Sequence, residues 1–217
     1  MQAISTDCGY EITMDLVKII VANREYLSDI DGAIGDGDHG INMAKGFNLC
    51  AKAIEGRKLS LSEGFEEISD ALMEGICGSM GPLYGSFFMG MSDSVANKSS
   101  LTQQDFLDML SNGLTELQDI SRANVGDKCL MDTLIPAINA FENATIEGKS
   151  FKQALNEMQS AAIAGRDSTL YLVAKIGRAS RLGERSRGVL DAGATSCCLL
   201  LCQLVKSIEQ HNACVTA

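Results

Sequence analysis

Apolar residues recur every three or four positions along nearly the whole chain, which is the spacing of amphipathic helices. A first helix that ends near residue 29 is predicted from a face made of Ile12, Leu16, Ile19, Ile20, Asn23 and Leu27. The same spacing predicts helices over about residues 39–54, 61–73, 103–120, 127–141 and 151–164, with another beginning near Pro82. Pro136 is expected to kink or interrupt the helix that contains it.

The last predicted helix, over about residues 194–209, is apolar almost all round and is therefore expected to lie at the centre of the fold. No stretch alternates clearly enough to predict a β-strand. The 217 residues are thus predicted to form a single all-α domain, residues 1–217, with seven to nine helices. Function is expected in the glycine-rich breaks between the helices.

The first of these breaks, DGAIGDGDHG at residues 31–40, places Asp31, Asp36 and Asp38 among four glycines. Mutual repulsion of three carboxylates would destabilise a compact loop between two helices, whereas a bound divalent cation turns that repulsion into coordination. Carboxylates suit hard ions such as Mg²⁺ or Ca²⁺, and glycines let the backbone direct several of them at one point. Asp-Gly pairs are also good turn formers, so a simple turn is the alternative.

A calcium loop of the EF-hand type does not fit this stretch. Counted from Asp36, the sixth position is Ile41 instead of Gly and the twelfth is Phe47 instead of Glu, and counting from Asp31 fails as well. Mg²⁺ needs fewer protein ligands, because water and phosphate oxygens complete its shell. A helix beginning at about His39 would add backbone N–H groups, so the stretch indicates a metal-assisted nucleotide-phosphate site.

Composition narrows the choice of partners. The formal net charge of −10 disfavours nonspecific nucleic-acid binding, which needs a basic surface. No apolar run is long enough for a membrane span, and the N-terminal residues lack the features of a secretory signal. The eight cysteines show no zinc-binding spacing, and Cys197, Cys198 and Cys202 lie in an apolar run, so free thiols in the core are expected.

Four motifs, taken in order, resemble those of the nucleotide-binding L subunit of dihydroxyacetone kinase, the DhaL-type domain. They are the acidic stretch at 31–40, GSMGPLYGSFF at 78–88, GDKCLMD at 126–132, and GRASRLGERS at 177–186 followed by DAGA at 191–194. The resemblance implies a closed barrel of about eight antiparallel amphipathic helices, with ADP or ATP bound in the loops at one end.

The resemblance also implies roles for individual residues. Asp31, Asp36 and Asp38 would chelate two Mg²⁺ ions that bridge the nucleotide phosphates, and would thereby form the catalytic centre. Nucleotide contacts would come from His39, Gly40, Ile41, Asn42, Ser79, Met80, Ser121, Leu130, Arg178, Asp191, Ala192 and Gly193. The chain departs from the family pattern at Met80, Ser121, Cys129 and Ala192, which affects the expected nucleoside pocket and leaves the aspartates untouched.

Local positive charge in this acidic chain comes from Lys128, Arg178, Arg181, Arg185 and Arg187. Arg181 and Arg187 are more simply explained as solvated residues or members of surface ion pairs. Lys128 could equally form a structural ion pair with its neighbour Asp127. Tyr84 and Phe87 are expected to belong to the core.

The implied activity is phosphoryl transfer to dihydroxyacetone held on a separate K subunit, since 217 residues leave no room for the ketone-binding domain. In the separate-subunit form of the family, ADP stays bound as a coenzyme and is rephosphorylated by a phosphotransferase-system protein, the M subunit. Such a chain is expected to be cytoplasmic and to form a homodimer. Two alternatives stay open: an L subunit that uses exchangeable ATP, and a nucleotide-loaded module that binds a transcription regulator.

Overall fold

The computed structural model describes residues 3–76 and 78–212 of the chain. Its helices are α1 Gly9–Ala22, α2 Arg24–Ile34, α3 His39–Ala53, α4 Leu61–Gly75, α5 Met80–Val95, α6 Gln103–Ile120, α7 Met131–Ile146, α8 Phe151–Ser168 and α9 Ala192–Asn212. Two short strands, β1 Ala3–Ser5 and β2 Ser100–Thr102, pair in antiparallel fashion. Two 3-10 segments, Thr169–Tyr171 and Arg178–Ser186, lie between α8 and α9.

Eight of the helices close into a ring around one apolar core. From α3 to α9 each helix packs against the next, and α1 closes the ring by packing against both α3 and α9. The short helix α2 packs against α3 and α9. The core runs from Ile4 to Ile208 and buries Phe47, Phe106 and Phe141 completely. The predicted all-α barrel is therefore confirmed.

Helix α9 is buried over most of its length, as its apolar sequence predicts. It packs against α1, α2, α7 and α8. Cys197 and Cys198 of this helix are buried, and all six cysteines in the described residues are free thiols, as expected. Cys77 and Cys214 lie outside the described residues. None of the described helices combines the length and the apolar character needed to cross a bilayer.

The helices begin differently at the two ends of the bundle. Helices α4, α6 and α8 each begin with a capping box, in which an N-cap hydroxyl and the side chain three residues later satisfy each other's backbone N–H; the N-caps are Ser60, Thr102 and Ser150. Helices α3, α5 and α7 begin at the opposite end, and their N-cap residues make no side-chain capping bond. Their first-turn N–H groups are therefore not satisfied by their own caps.

The first predicted helix is in fact two helices that meet at Asn23. The Asn23 side chain donates a hydrogen bond of 2.8 Å to the Ile19 carbonyl, and its backbone N–H also bonds to the end of α1. These bonds end α1, and α2 then continues for three turns. Asp31, predicted to lie in a loop, instead lies in the last turn of α2, where the helix fixes its position.

Three smaller expectations also differ from the structure. Pro136 was expected to kink or interrupt its helix; α7 runs through it without interruption, so a break there is wrong, and a kink stays a prediction. It begins at Met131 and not near Asp127, because the Asp132 carboxylate binds the N–H groups of Gly126 and Cys129 and holds the preceding residues in a turn. The two strands were not expected, since three residues are too few to show an alternating pattern.

Lys128 fastens the long connection between α8 and α9 to the start of α7. Its side chain is buried and its φ of 63° is the only positive value at a non-glycine residue in the described part of the chain. The ammonium group donates to the carbonyl oxygens of Thr169 at 2.7 Å, Val189 at 2.6 Å and Leu172 at 3.3 Å. The predicted alternative of an ion pair with Asp127 is wrong, because Asp127 instead pairs with Lys175 at 3.4 Å.

We predict that Lys128→Met lowers the free energy of unfolding by on the order of 3 kcal/mol, because three buried carbonyl groups lose their donor. Urea denaturation followed by circular dichroism measures this loss. The matched control is Lys175→Met, whose ammonium group is exposed and pairs with one carboxylate, so a loss below about 1 kcal/mol is expected. Equal losses in the two variants would contradict the clamping role of Lys128.

Candidate nucleotide and metal site

A cavity of about 480 Å³ opens at the end of the bundle where the uncapped helices begin. Its walls come from the end of α2, the starts of α3, α5 and α9, the end of α6, the turn before α7 and the 3-10 segment around Arg178. Residues far apart in the sequence therefore meet at this one place. The volume lies in the range typical of small-molecule sites.

Three carboxylates converge at the mouth of this cavity. Asp31 comes from the last turn of α2, Asp36 from the loop that follows, and Asp38 from the position just before α3. One oxygen from each lies within 4.8 Å of the others. At that separation each charged pair repels by about 3 kcal/mol at an effective dielectric constant of 20, and by about 1 kcal/mol in bulk water.

One positive charge faces this cluster. The guanidinium group of Arg178 forms an ion pair with the Asp36 carboxylate. Arg178 belongs to the 3-10 segment Arg178–Ser186, so the pair joins that segment to the loop after α2. One guanidinium group offsets one of the three negative charges, and the cluster retains a strong attraction for further cations.

The starts of α3 and α5 add hydrogen-bond donors to the cavity. The N-cap residues Asp38 and Ser79 make no side-chain capping bond, and Ser79 and Met80 line the wall. The His39 N–H makes only a long bond of 3.4 Å to the Asp31 carboxylate. Helix starts of this kind attract anions through their exposed N–H groups and the helix dipole, so this side of the cavity suits phosphate oxygens.

A buried network beneath the carboxylates ties three helix starts together. The His39 ring lies 2.9 Å from the Ser196 hydroxyl, which lies 2.7 Å from the Tyr84 hydroxyl. The Tyr84 hydroxyl also donates to the Gly193 carbonyl at 3.0 Å. Burial lowers the pKa of His39 to about 4, so the ring is neutral at physiological pH and contributes no charge to bind phosphate.

Asp191 fixes the start of α9 on the far wall of the cavity. Its carboxylate accepts a hydrogen bond of 2.7 Å from the Ala194 N–H, and its own N–H donates to the Thr169 hydroxyl at 3.0 Å. Burial raises the pKa of Asp191 to about 7, and the nearby Asp132 carboxylate acts in the same direction. Asp191 is therefore only partly ionised at neutral pH.

The rest of the wall is largely apolar. It includes Leu83 at the start of α5, Ile120 at the end of α6, Leu130 before α7 and Ile176 before the 3-10 segment. Ile120 is half exposed and lies at the rim of the cavity. This surface suits a flat apolar ring, with Ser121 as a polar neighbour.

The structure brings most of the predicted site residues together. The cavity is lined by Asp31, Asp36, Asp38, His39, Ser79, Met80, Ser121, Leu130, Arg178, Asp191, Ala192 and Gly193. Their contacts with metal and nucleotide remain predictions. Gly40, Ile41 and Asn42 lie at the adjoining start of α3 but do not line the cavity. Ile41 is exposed to solvent, and Gly40 packs so closely on α2 that a Cβ would overlap the Arg24 carbonyl oxygen.

Sequence reasoning missed several residues of the wall. Ser196 lies beneath the wall and was not predicted, although a serine in a buried helix needs a hydrogen-bond partner and so indicates a polar contact. Tyr84 is buried, as predicted, but its hydroxyl also links α5 to α9. The sequence does not single out the rim residues Ile120 and Ile176, because isolated apolar residues on a protein surface are common.

The arrangement fits a divalent cation bound with a polyphosphate. Three carboxylate oxygens within 4.8 Å are ligands of the type that Mg²⁺ prefers, and they leave coordination positions for water and phosphate. The helix starts offer N–H groups to phosphate oxygens on one side, and the apolar wall offers a surface for a base on the other. The geometry therefore suits metal-assisted chemistry on a nucleotide phosphate.

Comparison with known proteins agrees with this geometry. The model of the DAK2 domain family matches residues 33–206. A Listeria innocua protein, "PEP-dependent dihydroxyacetone kinase 2, ADP-binding subunit DhaL", is 34% identical over 203 residues, covering 92% of this chain and 93% of the relative. The Lactococcus lactis "PTS-dependent dihydroxyacetone kinase, ADP-binding subunit DhaL" is 37% identical and covers 87% of this chain and 91% of its own.

A solved structure shares the fold. It is the dihydroxyacetone kinase from C. freundii in complex with AMP-PNP and Mg²⁺, with a TM-score of 0.70 and 21% identity. The match covers 95% of this chain and 35% of that one, so this chain corresponds to about a third of the longer protein. The family match and the relatives of equal length confirm the resemblance on which the motif assignments rest. The chain belongs to the DAK2 domain family and to its DhaL-type members.

Proposed function

We propose that this chain is the nucleotide-binding phosphoryl-transfer subunit of a dihydroxyacetone kinase. In this proposal it holds ADP or ATP with two Mg²⁺ ions and relays a phosphoryl group to dihydroxyacetone on a separate K subunit. The donor is the M subunit of a phosphotransferase system, and the reaction takes place in the cytoplasm. Relatives of nearly the same length are named as ADP-binding subunits of PEP- or PTS-dependent kinases, which supports this choice.

The convergence of Asp31, Asp36 and Asp38 at the mouth of the cavity is the observation that carries the proposal. Their oxygens lie within 4.8 Å of one another, and the helix starts with uncapped N–H groups lie beside them. A fold without a cation at this point would gain nothing from three adjacent carboxylates, since their repulsion costs stability. Phosphoryl transfer, by contrast, needs concentrated positive charge held close to phosphate oxygens.

The residues of the cavity have different roles in the proposed reaction. The three aspartates hold the metal ions, which neutralise the charge on the transferring phosphoryl group. N–H groups at the starts of α3 and α5 orient the phosphates, and Arg178 is placed to reach them from the 3-10 segment. The apolar residues Leu83, Leu130 and Ile176 exclude water from the base side of the cavity. Asp191 keeps α9 in register through its bond to the Ala194 N–H.

The acceptor and donor are proposed to arrive on other proteins. In the described residues the cavity contains one histidine, His39, and its ring is buried and bonded to Ser196, so it cannot hold a ketone. The carboxylate cluster lies at the mouth, where a partner can bring a hydroxyl group to the terminal phosphate. We expect a homodimer, with K and M subunits docking in turn at the open end of each protomer.

We predict that Asp36→Asn weakens Mg²⁺-dependent ADP binding by at least about 100-fold, the upper figure for mutations that merely support a metal ligand. Isothermal titration calorimetry measures the binding. The free energy of unfolding without metal should stay within about 1 kcal/mol of the wild type, because a repulsion and an exposed ion pair are lost together.

The matched control for this variant is Asp70→Asn. Asp70 is an exposed carboxylate on α4 that does not line the cavity, so its loss should leave ADP binding unchanged. Wild-type affinity in Asp36→Asn would refute the metal-binding role of the cluster. Equal weakening in both variants would mean that general charge reduction, and not coordination, controls binding.

The proposed relay makes a second prediction, which native mass spectrometry tests. Protein purified without added nucleotide should carry one ADP and two Mg²⁺ ions per chain, because a coenzyme stays bound through turnover. Mixed with K subunit, phosphorylated M subunit and dihydroxyacetone, it should yield dihydroxyacetone phosphate. Little retained nucleotide together with activity on free ATP would favour the exchangeable-ATP form. No product with either donor, and tight binding to a transcription regulator, would favour a regulatory module.

A third prediction concerns pH. The folded-state pKa of Asp191 is raised to about 7, against about 3.9 in an unfolded chain, so the folded protein binds the extra proton between these values. This contribution to stability is complete below pH 4 and is lost as pH rises through 7. Asp191→Asn keeps an oxygen acceptor for the Ala194 N–H and removes the titration.

From pH 5 to pH 8 the wild type should therefore lose on the order of 3 kcal/mol of stability more than Asp191→Asn does. Urea denaturation at a series of pH values gives both profiles. The depressed pKa of His39, about 4, has the opposite sign and makes stability rise between pH 4 and 6.5, but His39 is present in both proteins and cancels in the difference. Parallel profiles would show that Asp191 is ionised throughout this range.

A further inference from the structure

Arg178 pairs with the same carboxylate that the proposed metal requires. Its guanidinium group contacts Asp36, and oxygens of Asp31, Asp36 and Asp38 lie within 4.8 Å of one another. The arginine thus offsets one of the three negative charges, whereas a divalent cation would offset two. A carboxylate oxygen that accepts a guanidinium group is less available as a metal ligand, so the two cations compete.

The backbone that carries Arg178 is fixed at its flanks, so separation of the ion pair requires movement of the exposed side chain alone. Gly177 and Gly183, on either side of it, both have positive φ, and a Cβ at either would meet no other atom within 4 Å. The flanks are held by longer-range bonds, from the Ala174 N–H to the buried Ser186 hydroxyl at 2.9 Å and from the Gly188 N–H to the Leu170 carbonyl at 2.8 Å.

The exposure of both side chains also indicates that the ion pair can separate. The Arg178 side chain is 63% exposed and the Asp36 side chain 35%, so the pair lies at the mouth of the cavity and can separate without disturbing the core. Exposed ion pairs of this kind are weak and are readily exchanged for a better partner. A nucleotide phosphate, with more than one negative charge and several acceptor oxygens, is a better partner for a guanidinium group than one carboxylate.

We propose that Arg178 couples the binding of metal to the binding of nucleotide by occupying Asp36 until a phosphate draws it away. This inference rests on the proposed function. When metal arrives alone, it must displace the guanidinium group from Asp36, and Arg178 gains no new partner. When metal arrives with a polyphosphate, Arg178 moves to a phosphate oxygen and Asp36 becomes free to bind the ion. The site therefore favours the metal–nucleotide complex over the bare ion.

Thermodynamic linkage predicts the direction in which each binding affinity changes when Arg178 is replaced. If Arg178 couples the two ligands, metal must strengthen nucleotide binding by the same factor by which nucleotide strengthens metal binding. Removing the guanidinium group should then change two affinities in opposite directions, that of Mn²⁺ alone and that of ADP in the presence of Mn²⁺. Mn²⁺ alone should bind more tightly because its competitor is gone, and ADP in the presence of Mn²⁺ should bind more weakly because a phosphate contact is lost.

The test uses Arg178→Gln in the full chain stripped of nucleotide and metal, with Mn²⁺ and ADP as probes. Electron paramagnetic resonance of free Mn²⁺ gives the metal affinity with and without ADP, and isothermal titration calorimetry gives the ADP affinity with and without Mn²⁺. We expect Mn²⁺ alone to bind about 5- to 10-fold more tightly than to the wild type, and the mutual enhancement to fall by about 10-fold or more. Circular dichroism confirms that the variant is folded.

Two further variants sharpen the result. Arg181→Gln removes an exposed guanidinium group from the same 3-10 segment, one that does not line the cavity, and should leave both affinities and their coupling unchanged. Arg178→Lys keeps the charge and should restore part of the coupling. If Arg181→Gln gains as much Mn²⁺ affinity as Arg178→Gln does, then loss of any nearby positive charge explains the gain, and the proposal is overturned.

The failure of this inference can be told apart from the failure of the proposed function. If the wild type binds Mn²⁺ and ADP with mutual enhancement, but Arg178→Gln binds Mn²⁺ alone with wild-type affinity, then Arg178 is a phosphate ligand only and the competition does not exist. If the wild type binds neither probe, the nucleotide function itself is wrong and the coupling falls with it.

Discussion

The repulsion among Asp31, Asp36 and Asp38 is the constraint around which one end of this molecule is organised. Asp31 is held in the last turn of α2 and Asp38 immediately precedes α3, so the backbone brings their carboxylates close, with oxygens of the cluster within 4.8 Å of one another. Those two helices are themselves in close contact, since α3 approaches α2 so closely at Gly40 that no side chain fits there. Helix packing thus keeps like charges together despite their repulsion. A bound cation would replace that repulsion with attraction to all three carboxylates.

Three helices that begin at one end of the bundle have side-chain caps, and three that begin at the other end have none. At the closed end, capping boxes at Ser60, Thr102 and Ser150 satisfy the first N–H groups of α4, α6 and α8 with side chains. At the open end, α3, α5 and α7 lack such caps. These three helices lack the stabilisation of about 1 kcal/mol that a cap contributes to each helix. Their free N–H groups can instead bind a ligand. Helix α9 also begins at the open end but is capped by Asp191, so the missing caps at that end belong to α3, α5 and α7.

Sequence pattern predicted what depends on local chemistry and missed what depends on contacts between distant residues. The starts of α3, α6 and α8, the burial of α9 and the acidic loop followed from spacing and composition. The break at Asn23 did not, because the apolar stripe continues through it from α1 into α2 while a side-chain bond to Ile19 ends the helix. The links from Ser196 to His39 and Tyr84, and from Lys128 to Val189, were also invisible, since they join segments that only the fold brings together.

Charge at this end of the molecule is separated by depth. The aspartates and Arg178 lie at the mouth, whereas burial disfavours charge on three groups beneath them: it lowers the pKa of His39 to about 4, raises that of Tyr84 well above its usual value and raises that of Asp191 to about 7. His39 and Tyr84 are therefore neutral at physiological pH and, in the proposed reaction, would not compete with phosphate for the metal ions. Because the charge of these ions would lie at the surface, the transferring phosphate must lie there too. In the proposed reaction an acceptor hydroxyl would then reach the phosphate from outside, and a second protein that covers the mouth would exclude water, which agrees with the relatives being named as subunits of a kinase.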